Sequence, residues 1–126
     1  MINVRKIFGM TESASIEWKP LTSESSLDEA INESSEKPVF IFKHSTRCSI
    51  SSMAKARLEG SWNSEEMKSV SPYFLDLIAY RNISNLVADK LGVMHESPQV
   101  LILKDGKCVN NTSHSNISYE YLKANV

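Results

Sequence analysis

Cysteine is scarce in this chain: its 126 residues include Cys48 and Cys108 and no others. Two thiols make no disulfide framework of the kind that staples small secreted domains, so a reducing, cytoplasmic setting is the simplest expectation. Long apolar runs are missing too. No stretch approaches the roughly 20 residues needed to span a bilayer. The first residues lack the basic-then-apolar pattern of a secretion signal. An excess of one charge is also absent. Fourteen basic and 15 acidic residues leave a net charge of -1, which gives no electrostatic case for nucleic acid or an anionic membrane as partner. There is no glycine-rich phosphate loop, nucleophile elbow, internal repeat or low-complexity linker. The three histidines and two cysteines show no metal-ligand spacing, so no metal site is expected.

What is present is an ordinary globular balance, with 41% hydrophobic and 23% charged residues. The length suits one compact domain. Residues 1–15 carry no sustained period and read as a loosely ordered arm, leaving 16–126 as the domain. Ile16 to Lys19 alternates apolar and polar, and Pro20 interrupts it, which suggests a short edge strand. Ser26-Leu27-Asp28-Glu29 reads as a capping box opening a helix, with Leu27, Ala30 and Ile31 on its inner face and Lys37-Pro38 ending it. Val39 to Phe42 is a continuous β-favouring run, as in a buried strand. Ile50, Met53, Ala54 and Leu58 then follow helical spacing, with Gly60 and Asn63 closing that helix or marking a bend beyond it. Ser64 to Met67 suggests a further turn of helix. Tyr73 to Ile78 is the next strand. Ile83, Leu86, Val87 and Leu91 form another helical stripe, which Gly92 ends. Gln99 to Leu103 and Lys107 to Ser113 are strands joined by the hairpin signal Asp105-Gly106. Ser118 caps a last short helix. The order β-α-β-α-β-α-β-β-α predicts an α/β fold, a mixed sheet with helices on its faces.

Cys48 falls where the polar loop after Phe42 meets a helical pattern. A thiol there faces the positive end of a helix, which favours the thiolate. Arg47 and Lys43 add positive charge, screened by solvent. His44 reads as a strand-end residue packed under the loop, and His95 as a solvated loop residue. Trp18 and Trp62 read as packing aromatics. If Asp105-Gly106 is a two-residue turn, Leu103 pairs with Cys108. Cys108 then lies on the order of 16 Å from the level of Pro98, too far for the roughly 7 Å between Cα atoms that a disulfide needs. Cys108 is therefore expected to be structural. The same pairing returns Ser113 to the level of Pro98 and brings His114 toward the site.

The order of elements, with a cysteine after the second strand and Ser97-Pro98 before the fourth, resembles the thioredoxin fold. Trp18-Lys19-Pro20-Leu21-Thr22-Ser23, the segment Phe42 to Ser51, Ser97-Pro98-Gln99-Val100 and Ser113 to Ser118 together resemble the YtxJ-like monothiol bacilliredoxin family. The likeness runs over about residues 16–126. It implies a thioredoxin-like three-layer α/β/α sandwich with a central mixed sheet and a C-terminal hairpin plus helix. It implies thiol–disulfide exchange on S-thiolated proteins, with bacillithiol or another low-molecular-weight thiol as co-substrate and no tightly bound cofactor. Cys48 matches the family's reactive cysteine, and Ser51 stands where a dithiol protein has its resolving cysteine. A second thiol must then come from outside the chain. Ser97-Pro98 resembles the cis-proline loop, whose backbone would face the sulfur and pair with an extended substrate. Arg47, Ser49, Ser51, Ser97, Pro98 and His114 are the expected supporting or substrate-binding residues. One departure stands out: the family usually has proline after the cysteine, and this chain has Ser49. Proline there presets φ and lacks an amide hydrogen. Two other roles are compatible with these residues: a thioredoxin-fold stress or sensor protein whose Cys48 is only modified, and a glutathione-linked monothiol redoxin.

Overall fold

The computed structural model describes residues 16–126; the expected arm, 1–15, lies outside them. Among the described residues the elements are β1 (Lys19–Pro20), α1 (Glu24–Glu33), β2 (Val39–His44), α2 (Ser49–Ser61), β3 (Ser71–Asp76), α3 (Arg81–Leu91), β4 (Gln99–Lys104), β5 (Lys107–Ser113) and α4 (Tyr119–Ala124). A 3-10 turn, His114–Asn116, which the sequence pattern did not announce, precedes α4. The five strands are ordered β1-β3-β2-β4-β5. β1, β3 and β2 run parallel, and β4 and β5 are antiparallel to their neighbours. This is the expected mixed sheet.

Strand alternation divides the core in two. On one face Phe40, Phe42, Val100 and Ile102 meet Ala54 and Leu58 of α2 and Tyr119 and Leu122 of α4. On the other, Ile41, Leu75, Leu101 and Leu103 meet Leu27 and Ala30 of α1 and Ile83 and Val87 of α3. Each fully buried Leu, Ile or Phe contributes roughly 1.5–3 kcal/mol. The sheet is therefore held from both sides, giving three layers.

Several boundaries differ from the sequence reading. Helix α1 begins one turn earlier than expected. Ser23 is its cap, and Ser26 closes the box: Ser23 Oγ accepts the Ser26 amide and Ser26 Oγ accepts the Ser23 amide, both at 3.0 Å. The serine-rich run offers several frames, and a serine here fills the place more often held by Glu. Pro20 lies in β1 rather than ending it. The Leu21 amide donates to Phe74 O at 2.9 Å, so Pro20, one residue away, turns its missing donor to the open edge. Gly60 is inside α2, and residues 64–69 form turns instead of helix; Asn63 Oδ1 accepts the amides of Glu65 and Glu66 there. β3 starts and ends two residues earlier than expected, and Asp76 Oδ1 accepts the Ile78 amide just past it. β2 runs two residues longer, through Lys43 and His44.

The hairpin forms as expected. Asp105 and Gly106 both adopt positive φ, 53° and 78°, as a tight type I′ turn requires. Lys104 pairs with Lys107 and Leu103 with Cys108, but a bulge follows. It moves Ser113 opposite Gln99, one residue from the expected level of Pro98. Gly92 ends α3 in the left-handed conformation with φ 66°, and the Tyr121 amide donates to the Ser118 cap.

Candidate functional site

β2 and β4 are antiparallel with Lys43 opposite Gln99. The loop after His44 and the loop before Gln99 therefore leave the same end of the sheet. Ser113 pairs with Gln99, so His114 reaches that end as well. The topology thus gathers Arg47, Cys48, Ser49, Ser51, Ser97, Pro98 and His114 at one end of the sheet.

Cys48 is the N-cap residue of α2, in extended conformation, and its side chain makes no capping bond. Its amide donates to Ser45 O at 3.2 Å, and its carbonyl accepts the Ser52 amide at 3.1 Å. The thiol is free and half-buried. Arg47, Ser49 and Ile50 around it are exposed.

Ser51 is different. It is fully buried. Its Oγ lies 2.7 Å from His44 Nδ1 and accepts the Ser45 amide at 3.0 Å. A cysteine in this place would be the resolving thiol; this hydroxyl instead ties the loop to the strand beneath it. His44 is buried and stacks on Phe42, with rings 5.9 Å apart, and tilts against Phe74 at 5.4 Å. Burial first, and then the positive charge of Lys55, hold its pKa below the ordinary value. It is a neutral packing and hydrogen-bonding residue at pH 7.

The proline is cis: Ser97-Pro98 is a cis peptide. The Pro98 carbonyl accepts the His114 amide at 2.9 Å. Ser97 Oγ is buried with no hydrogen-bond partner among the described residues. His114 has φ 57° and an exposed side chain, with Nε2 3.7 Å from Glu96 Oε1. Ser113 Oγ also donates to Glu96. Glu96 is a site-end residue that the sequence reading missed. Only its place beside Ser97-Pro98 pointed to it.

Two sequence expectations fail here. Lys43 was expected in solvent, adding to the charge around Cys48. It is fully buried. Its Nζ donates to Ser84 O and to His95 Nδ1, both at 3.2 Å. Burial lowers its pKa from 10.5 to about 8. His95 is not a solvated loop residue either. It is half-buried against Lys43 and Ser84, and burial and the Lys43 charge lower its pKa. Both errors have one origin. β2 is two residues longer than its apolar run, so alternation turns Lys43 toward the α3 face and His44 toward the α2 face.

The chain matches the model of the family described as monothiol bacilliredoxin BrxC over residues 19–122. This chain belongs to the monothiol bacilliredoxin family. Solved structures agree on the fold. A structure described as having a thioredoxin fold shares 28% identity over 90% of this chain and 95% of that one, with a TM-score of 0.72. The thioredoxin of Malassezia sympodialis (Mala s 13) shares 16% identity, covering 86% of this chain and 87% of that one at a TM-score of 0.69. The thioredoxin of Fasciola hepatica shares 20%, covering 85% and 94% at 0.64. The bacilliredoxin match and the thioredoxin fold support a thiol–disulfide redox function with a low-molecular-weight thiol as partner. Among the described residues no helix is long and apolar enough to cross a membrane.

Proposed function

We propose that this bacilliredoxin removes bacillithiol from S-thiolated proteins, with Cys48 as its nucleophile and a thiol from outside the chain to complete the cycle. The Cys48 thiolate attacks the small-thiol sulfur of the mixed disulfide. A bond forms between Cys48 and the small thiol, the original S–S bond breaks, and the protein thiolate leaves and takes a proton from water. Cys48 is oxidised and the protein thiol is reduced. A second small thiol then attacks the Cys48 adduct, releasing Cys48 and a small-molecule disulfide. No tightly bound cofactor enters this cycle, and it suits the reducing cytoplasm.

One observation carries this reading. The position that would resolve the adduct from within is the buried Ser51 hydroxyl, engaged by His44 and Ser45. The other thiol, Cys108, is level with Leu103, and Leu103 with Val39, at the far end of β2. From Val39 to His44 is about 16 Å at the rise of a strand, beyond disulfide reach.

The test is turnover. A bacillithiolated protein is incubated with catalytic amounts of this chain and excess bacillithiol. The account predicts many equivalents of substrate released per Cys48. Release that stops at one equivalent would mark Cys48 as a modified sensor instead.

A further inference from the structure

A cavity of about 400 Å³ is lined by His44, Thr46, Ser52, Lys55, Glu59 and Phe74. Its place relative to the thiol follows from helix geometry. Ser52, Lys55 and Glu59 come four, seven and eleven residues after Cys48, so they continue one face of α2 down from the cysteine. At the helical rise, Lys55 is about 10 Å below the cap. Thr46 brings the loop side of the same cavity to within two residues of Cys48. The volume falls in the range of small-molecule pockets.

The lining chemistry is specific. Lys55 Nζ is 3.0 Å from Glu59 Oε2 and 5.7 Å from the Phe74 ring centre. Glu59 Oε2 also accepts the Trp18 indole N–H at 2.8 Å, which fixes the carboxylate. An ammonium has three donors, and a solvent-accessible helix pair of this kind is weakly held. Lys55 is thus placed to take a second carboxylate. Thr46 and Ser52 add hydroxyls, and His44 is a neutral imidazole edge. A cation, an anchored anion and two hydroxyls together suit a hydroxylated small molecule bearing carboxylate and amine.

We propose that this cavity seats the low-molecular-weight half of the mixed disulfide, with Lys55 binding its carboxylate while its sulfur lies at Cys48. The assignment rests on the exchange function proposed above and adds to it the class of thiol selected. The reaction that reads it is a single step. The Cys48 thiolate attacks one sulfur of a symmetrical small disulfide, a new bond to Cys48 forms, and the other half leaves as a thiolate that takes a proton from water. Cys48 is oxidised and the departing half is reduced.

The experiment measures the second-order rate of Cys48 adduct formation by mass spectrometry. The probes are bacillithiol disulfide, glutathione disulfide and the uncharged 2-hydroxyethyl disulfide. The expected result is that Lys55→Met slows both carboxylate-bearing probes about tenfold, the loss of one charge-assisted hydrogen bond, and leaves the uncharged probe within about twofold. Added salt should slow the charged probes on the wild type more than on the variant. Equal effects on all three probes, or none, would overturn the cavity assignment while leaving Cys48 as the exchange thiol. A wild-type Cys48 that takes up none of the three would overturn both readings.

Discussion

The two ends of β2 are built from opposite materials. At one end Val39 pairs with Leu103, and Leu103 with Cys108; both apolar side chains are fully buried. Cys108 Sγ donates to Asn110 O at 3.2 Å, and burial pushes its pKa up. At the other end Lys43, His44 and Ser51 are buried side by side in sequence or space, and Cys48, its thiol free, is the N-cap residue of the helix that follows. A thiol whose pKa is raised by burial stays protonated and unreactive at neutral pH. The comparison also separates stability from chemistry. The hydrocarbon at the Val39 end lowers the free energy of the fold, and the other end is where charged and titratable side chains are buried. Such departures from an apolar core concentrate where a site is being built.

The largest effect expected from breaking this contrast is at Cys48. Cys48→Ala should reduce release of bacillithiol from a protein mixed disulfide to the uncatalysed rate, followed by the appearance of free protein thiol. Cys108→Ser should leave the same rate within about twofold, because the hairpin thiol stays protonated.

Next comes Lys43. The fall in its pKa from 10.5 to about 8 corresponds to roughly 3 kcal/mol against the charged form in the fold. Lys43→Met should therefore raise stability at pH 7 by about 1–4 kcal/mol, the range for replacing buried ions by hydrocarbon. Between pH 8 and 10.5 the unfolded chain binds more protons at this lysine than the folded chain. Wild-type stability must rise through that window on this account. The gap between the two proteins in urea denaturation should accordingly narrow from pH 8 to 10.5.

A smaller effect is expected at Ser51. Ser51→Ala leaves the half-buried Ser45 amide and the buried His44 ring without their shared partner, which should cost about 1–3 kcal/mol in denaturant unfolding. The variant keeps Cys48, so release of the small thiol should persist below the unfolding transition. The smallest effect separates the two ends by acid. Burial lowers the His44 pKa, so the unfolded chain binds the extra proton first as pH falls below about 6.5. Stability should drop there, and His44→Gln should flatten part of that drop; an unchanged slope would contradict a buried, neutral His44.

Much of this was legible in the sequence. The apolar run Val39 to Phe42, the Gly92 stop and the Asp105-Gly106 turn follow from local rules, and the structure keeps all three. Cys48 at the start of α2 and Ser97-Pro98 before β4 were legible for the same reason. What local pattern did not carry is which polar residues the sheet would bury. A strand's polar tail looks like a loop, so Lys43 read as a screened surface charge, whereas His44 was read, as found, packed under the loop at the strand end. For Lys43, tertiary pairing with Leu75 and Gln99 decided otherwise. The bulge after Leu103 was equally silent, because nothing in Cys108-Val109-Asn110 marks an extra residue. The contact of Glu96 with Ser113 and His114 is tertiary, and apart from its place beside Ser97-Pro98 nothing local marks it.

The most direct measurement is the site of adduct formation. The protein is exposed to bacillithiol disulfide under non-denaturing conditions, digested without reduction and mapped by mass spectrometry. The account predicts one bacillithiol on Cys48, an unmodified Cys108 and no peptide joining the two. A bacillithiol adduct on Cys108, or a Cys48–Cys108 disulfide, would contradict it.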